Sequence, residues 1–107
     1  MSANTPSRRE KLQAFVRDHP ADAFARYGLA MECVREGDAE AAIAEFRQLL
    51  AAHPDYVAGY FHYGQLLAKL GREDQARETL RAGIQAAQRQ GDAHAAGEMS
   101  AALDALV

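Results

Sequence analysis

A chain of 107 residues is long enough for one small domain and too short for two. Its net charge of −3 and its lack of a dense basic run disfavour nucleic-acid binding, which needs a basic surface to neutralise phosphates. A single cysteine, Cys33, excludes an internal disulfide framework. The sequence shows no signal-peptide pattern and no apolar run near the ~20 residues of a membrane span. We therefore expect a cytoplasmic protein that contacts neither membrane nor nucleic acid.

Six helices are predicted in chain order, because good helix formers dominate and apolar residues recur every three or four positions. Thr5 or Ser7 is expected to cap the first helix, and Pro20 to stop it. Glycine is expected to end three helices, at Gly37, Gly71 and Gly91, since it adopts the left-handed conformation readily. The predicted ranges are Ser7–Asp18, Asp22–Glu36, Ala39–Ala52, Tyr56–Leu70, Arg72–Gln90 and Ala93–Leu106.

The sequence repeats itself with a period of 34 residues. The pair His19-Pro20 returns as His53-Pro54, and Gly37 returns as Gly71. Apolar residues keep the same spacing, as in the column Leu12, Phe46 and Leu80. Periods of this length are typical of helical repeat proteins, in which each unit buries its apolar face against the next.

The repeat resembles the tetratricopeptide repeat (TPR), a helix-turn-helix of 34 residues whose pairs stack into a right-handed superhelix. The resemblance rests on a large-then-small apolar pair, a bulky residue one turn later, a turn glycine with a small residue five positions on, and a proline at the end of the second helix. The residues that carry it are Leu29-Ala30, Tyr63-Gly64, Cys33, Leu67, Gly37, Ala42, Gly71, Ala76, Phe46, Leu80, Pro20 and Pro54. It implies an all-α fold, a short solenoid of about six antiparallel helices.

The resemblance also implies one TPR-like domain over residues 1–107. Its expected parts are a flexible N-terminus (1–6), a half-repeat helix (7–20), two repeats (23–56 and 57–90) and a capping helix (92–106). Three features depart from the family pattern. The second repeat lacks its terminal proline, since Ala87-Gln88 stands at the place that matches His53-Pro54. Arg26 stands where the second repeat has Tyr60, and Gly83 replaces a usual alanine, which we expect to weaken its helix by up to ~1 kcal/mol.

In TPR proteins the first helices of the repeats line a concave groove that binds a peptide or helix of a partner protein. The matching positions here are Phe24, Tyr27, Met31, Arg35, Phe61, His62, Gln65 and Lys69. The apolar members would contact apolar side chains of the partner, while Arg35 and Lys69 attract an acidic segment. Two arrangements remain open: an exposed groove, or a groove that a terminal helix folds over.

The resemblance thus favours a non-catalytic scaffold for protein binding, without cofactor or metal. Self-association into a homodimer, through the groove or through the face Met99–Leu106, is the alternative. An enzyme built on Cys33 and His62 is disfavoured, because Cys33 shares a core column with Leu67. The carboxylate clamp of chaperone-binding TPR proteins is also disfavoured, since Tyr27, Met31 and His62 occupy its positions.

Two sets of charged or titratable residues are interpreted as structural. His19 and His53 follow equivalent helices, where an imidazolium interacts favourably with the helix dipole, and no ligand spacing links them to a metal site. The cluster Arg8–Lys11 is expected to be a solvated helix face.

Overall fold

A computed structural model of the chain describes residues 5–106, which form six α-helices. Their bounds are α1 (Arg8–Asp18), α2 (Ala23–Arg35), α3 (Ala39–Ala52), α4 (Val57–Lys69), α5 (Glu73–Arg89) and α6 (Ala93–Asp104). The all-α prediction is confirmed, and each predicted range is right to within two residues at either end. The expected flexible N-terminus falls largely on residues 1–4, which lie outside the described residues.

Short polar side chains fix the starts of several helices. Ser7 caps α1 in a capping box: its hydroxyl accepts from the Glu10 amide at 3.0 Å, and the Glu10 carboxylate accepts from the Ser7 amide at 2.8 Å. Of the two expected caps, Ser7 is therefore the one used. Asp22, Asp38 and Asp92 each accept a hydrogen bond from the backbone amide three residues on, at the starts of α2, α3 and α6.

Glycine ends α2, α4 and α5, as predicted. Gly37, Gly71 and Gly91 have φ values of +79°, +78° and +70°. After Gly37, the Asp38 amide donates back to the Cys33 carbonyl at 2.9 Å, which completes a Schellman motif. The same bond recurs after the other two glycines. These three turns set the points at which successive helices reverse direction.

The chain divides into two compact units, the first ending at Leu49 and the second beginning at Leu50. In the first unit α1 packs against α2, and the buried side chains include Val16, Leu29, Cys33 and Phe46. In the second unit α5 packs against both α4 and α6, and α4 also touches α6.

Charged side chains brace the first unit. Arg26 of α2 donates to Glu45 at 2.8 Å and to Gln48 at 2.6 Å, both on α3. The departure from the family pattern at Arg26 therefore places a helix-to-helix ion pair where the second repeat has an aromatic residue.

Arg9 is not on a solvated face, and the prediction for the cluster Arg8–Lys11 is wrong at this residue. Its side chain is only 24% exposed and contacts Asp38 at 2.9 Å and Glu36 at 3.3 Å. These contacts tie α1 to the turn between α2 and α3. Arg8 and Lys11 are exposed, as expected.

The core of the second unit depends on two glycines. A Cβ on Gly64 would lie 2.6 Å from Leu80 Cδ2, and a Cβ on Gly83 would lie 2.5 Å from the Cβ of Tyr60. Helices α4 and α5 thus approach closely at both positions. The Tyr60 hydroxyl donates to the Pro54 carbonyl at 2.7 Å, so the same residue also anchors the segment before α4.

Candidate functional site

An open apolar groove lies between α1 and α2, with a volume of about 760 Å³. We call it the α1–α2 groove. One wall comes from α1 and the other from α2 and its capping residue. Its lining residues are Arg8, Leu12, Phe15, Asp22, Phe24, Ala25, Tyr27, Gly28, Met31, Glu32 and Arg35.

The groove carries unusual apolar exposure. Three large apolar side chains are markedly exposed within residues 5–106, and two of them, Phe24 (74%) and Phe15 (44%), line this groove. The Phe24 ring stacks on Tyr27 with 6.5 Å between centroids, and the Phe15 ring stacks on His19 at 4.2 Å. Exposed aromatic residues grouped in a concave surface are typical of protein-binding sites.

One end of the α1–α2 groove is positively charged. The buried carboxylate of Glu32 accepts two hydrogen bonds from the Arg35 guanidinium and lies 3.5 Å from Arg8 Nε. The hydrogen bonds from Arg35 lower the pKa of Glu32, and the charge of Arg8 acts in the same direction. Among the residues that line this end, two arginines against one carboxylate leave one excess positive charge, which Glu36 beside Arg35 partly offsets. The side chains that carry it are 77% (Arg8) and 65% (Arg35) exposed.

A smaller pocket, of about 360 Å³, lies within the second unit. We call it the α4–α6 pocket. Its lining residues are Val57, Ala58, Phe61, His62, Asp92, His94, Ala95 and Glu98. Burial lowers the pKa of His62, and the nearby Glu98 opposes that shift. Phe61 is half-buried, since it also packs against the core cluster of Leu80, Ala87 and Met99.

The predicted groove residues fall into separate places. Phe24, Tyr27, Met31 and Arg35 come together in the α1–α2 groove. Phe61 and His62 lie in the α4–α6 pocket, where the terminal helix α6 forms the opposite wall. Gln65 and Lys69 are exposed on α4 and do not line that pocket. One groove along both repeats stays a prediction.

Sequence reasoning missed the α1 wall of the groove. The family pattern directs attention to the first helices of the repeats, so Arg8, Leu12 and Phe15 were left out of the candidate site. A signal was present at Phe15, which stands two repeats before Gly83, a position that is buried in the second unit. It was also present at Glu32, a lone carboxylate amid the apolar residues of α2.

The structure gives the enzyme hypothesis no support at Cys33. The thiol is 1% exposed, and burial raises its pKa, which disfavours the thiolate that a nucleophile needs. His19 caps the end of α1, with Nδ1 3.2 Å from the Phe15 carbonyl oxygen. Among the described residues, no three His, Cys, Asp or Glu side chains group closely enough to hold a metal ion. No helix within residues 5–106 is long and apolar enough to cross a membrane.

Six helices with repeated glycine turns define a helical repeat protein. The family model described as tetratricopeptide repeat matches residues 34–106. The chain belongs to the tetratricopeptide repeat family. No curated protein sequence matches it.

Solved structures agree with this assignment. A solution NMR structure of a tetratricopeptide repeat domain protein from Salinibacter ruber is 38% identical, with a TM-score of 0.75, and the match covers 78% of this chain and 85% of that one. A crystal structure of a Salinibacter ruber tetratricopeptide repeat domain protein is also 38% identical (TM-score 0.72, covering 77% and 91%). A solution structure of a Bordetella parapertussis protein, 24% identical with a TM-score of 0.80, covers 95% of this chain and 89% of that one and shows the same fold.

Proposed function

We propose that this TPR protein binds an apolar segment of a partner protein in the α1–α2 groove, without catalysis. TPR domains in general act as protein–protein interaction modules. The observation that carries the proposal is the 74% exposure of Phe24 inside a groove shared with Phe15 and Met31. Burying these side chains against a partner would remove apolar surface from water, which drives most protein association. Arg8 and Arg35 at one end would favour a partner with acidic residues there.

The binding is expected to be weak and reversible. A groove formed by two short helices offers a contact below ~1,200 Å², the range of transient complexes. A transient adaptor role fits this size better than a permanent assembly does.

A charge placed in the groove tests the proposal. A partner is first captured from host extract and identified, and its affinity is then measured by calorimetry against the wild type and Phe24→Glu. Because Phe24 is mostly exposed, the substitution should leave the fold intact and weaken binding by roughly tenfold or more.

Leu70→Glu is the matched control, since Leu70 is an exposed apolar residue (39%) that does not line the groove. Its affinity should match the wild type. A partner that binds Phe24→Glu as tightly as the wild type would place the site elsewhere and refute the proposal.

Self-association through the face Met99–Leu106 has less to support it. Met99 is fully buried, and Leu103 and Leu106 pack against the core cluster of Leu80, Ala87 and Met99. This face already packs within the second unit, so it leaves little apolar surface for contact with a second copy of the chain.

A further inference from the structure

Helix α1 presents to solvent a face that its counterpart α5 buries. The two helices occupy the same place in the 34-residue pattern, two repeats apart. In α5 this face is buried, and α4 lies on it, with Gly64 against Leu80 and Tyr60 against Gly83. The α5 positions Ala76, Leu80 and Gly83 correspond to Arg8, Leu12 and Phe15 of α1, which line the open α1–α2 groove.

The second wall of the groove follows the same correspondence. Met31 of α2 is the counterpart of Met99 of α6. In the second unit the Met99 sulfur reaches Gly83, so α4, α5 and α6 meet at that residue. In the first unit Met31 and Phe15 line one groove. The walls of the α1–α2 groove therefore correspond to the surfaces of α5 and α6 that hold α4, and the groove can hold one further helix.

We propose that the α1–α2 groove seats an amphipathic α-helix of a partner protein, which lies on α1 as α4 lies on α5. This rests on the proposed function, because it names the partner of the same groove. The contacts of Tyr60 with Gly83 and of Gly64 with Leu80 run in opposite directions along the two helices. The partner helix is accordingly antiparallel to α1.

The packing specifies small residues four positions apart in the partner. Leu12 is the counterpart of Leu80, whose Cδ2 would lie 2.6 Å from a Cβ at Gly64; the flexible end of a leucine can shift for a methyl group but not for a larger side chain, so the residue over Leu12 is glycine or alanine. Phe15 is the counterpart of Gly83 and fills space that Tyr60 uses in the second unit. A Cβ at the place of Gly83 would lie 2.5 Å from the Cβ of Tyr60, and Phe15 has such a Cβ, so the residue four positions earlier in the partner helix is glycine.

Charge fixes the direction of the partner helix. Arg8 and Arg35 lie at one end of the groove and Asp22 at the other. A helix antiparallel to α1 brings its C-terminal end, with its negative dipole, to the two arginines, and its positive N-terminal end to Asp22. An acidic residue three or four positions after the glycine or alanine over Leu12 would strengthen the contact with Arg8.

A peptide taken from this chain tests the inference. The probe is a synthetic peptide of residues 57–70 with Tyr60→Gly and Ala68→Glu, which supplies the small pair and the acidic residue. Binding is followed by NMR of methyl-labelled methionine in the full chain. Met31 lines the groove and should shift on titration, whereas Met99 is fully buried elsewhere and should not.

Three variant peptides separate helix docking from other modes. Gly64→Leu adds bulk over Leu12 and should weaken binding roughly tenfold or more. Gln65→Pro keeps the apolar side chains but breaks the helix, and should weaken binding at least as much. Lysine in place of the glutamate at position 68 should weaken binding a few-fold, and this difference should vanish in the Arg8→Ala protein.

The outcomes distinguish the inference from the proposed function. If the Gln65→Pro peptide binds as well as the probe, an extended segment occupies the groove. The proposed function is then retained, and the inference of a docked helix is overturned. If no peptide shifts Met31 while the captured partner still depends on Phe24, the helix inference alone is overturned. If Met31 shifts when the protein alone is concentrated, a second copy occupies the groove and the partner helix is refuted.

Discussion

A Cβ on Gly83 would lie 2.5 Å from the Cβ of Tyr60 and 2.5 Å from the sulfur of Met99. Helices α4 and α6 therefore both reach the backbone of α5 at this residue. The Tyr60 Cβ is fixed to its own backbone, so it cannot move aside cheaply. We expect Gly83→Ala to lower the free energy of unfolding by ~1–3 kcal/mol, despite the better helix propensity of alanine.

Urea unfolding followed by circular dichroism measures this effect. Gly97→Ala on α6 is the control, because a Cβ there meets nothing within 4 Å. Alanine at Gly97 should raise the free energy of unfolding by up to ~1 kcal/mol. Stabilisation by both substitutions would show that α4, α5 and α6 do not meet as closely as described.

Gly83 also shows where prediction from sequence stops. Helix ends were predictable, because Gly37, Gly71 and Pro20 act through local backbone geometry. Helix propensity alone makes Gly83 a weak point of its helix, whereas the structure shows that the glycine makes room for Tyr60 and Met99. That contact joins residues far apart in the chain, and helix propensity carries no information about it.

The candidate site was predictable in part for the same reason. The α2 wall followed from the family pattern, which gave Phe24, Tyr27 and Met31. The α1 wall, with Leu12 and Phe15, depends on which face of a half-repeat remains uncovered. Periodicity alone predicts an apolar face, and only the packing shows whether that face is occupied.

Cys33 should be inert in the folded protein. It is 1% exposed, and burial raises its pKa, so both access and thiolate content are low. We expect the reaction with Ellman's reagent at pH 8 to be slower by roughly a hundredfold or more than in 6 M guanidinium chloride, because it requires opening of the first unit. Rapid labelling of the native protein would contradict this burial and would revive the enzyme hypothesis.

His62 should make the second unit less stable in mild acid. Burial lowers its pKa below the ordinary value near 6.5. The unfolded chain then takes up a proton more readily than the folded one, so the free energy of unfolding falls as the pH drops through about 6.5 and levels off below the folded pKa.

Thermal unfolding between pH 5 and 8 measures the dependence on His62. Glu98, Asp92 and His94 line the same pocket as His62. His62→Gln should flatten the profile near pH 6. His94→Gln is the control, because the His94 side chain is 87% exposed, and it should leave the slope largely intact. Equal flattening by both variants would assign the effect to the pocket as a whole.

Glu32 links the stability of the first unit to the charge of the α1–α2 groove. The hydrogen bonds from Arg35 lower its pKa, so the stability that it contributes is present above its ordinary pKa of about 4.3 and is lost as the pH falls through the lower folded value. Glu32→Gln should therefore remove part of the loss of stability in acid, as measured by urea unfolding between pH 3 and 7. The exposed Glu78→Gln is the control and should not have this effect.

Glu32→Gln also frees Arg8 and Arg35 from their carboxylate. An acidic partner segment should therefore bind Glu32→Gln more tightly than the wild type at low salt and lose that gain at high salt. An affinity that does not depend on salt would show that the two arginines do not contribute to binding, and Glu32 would then have a purely structural role.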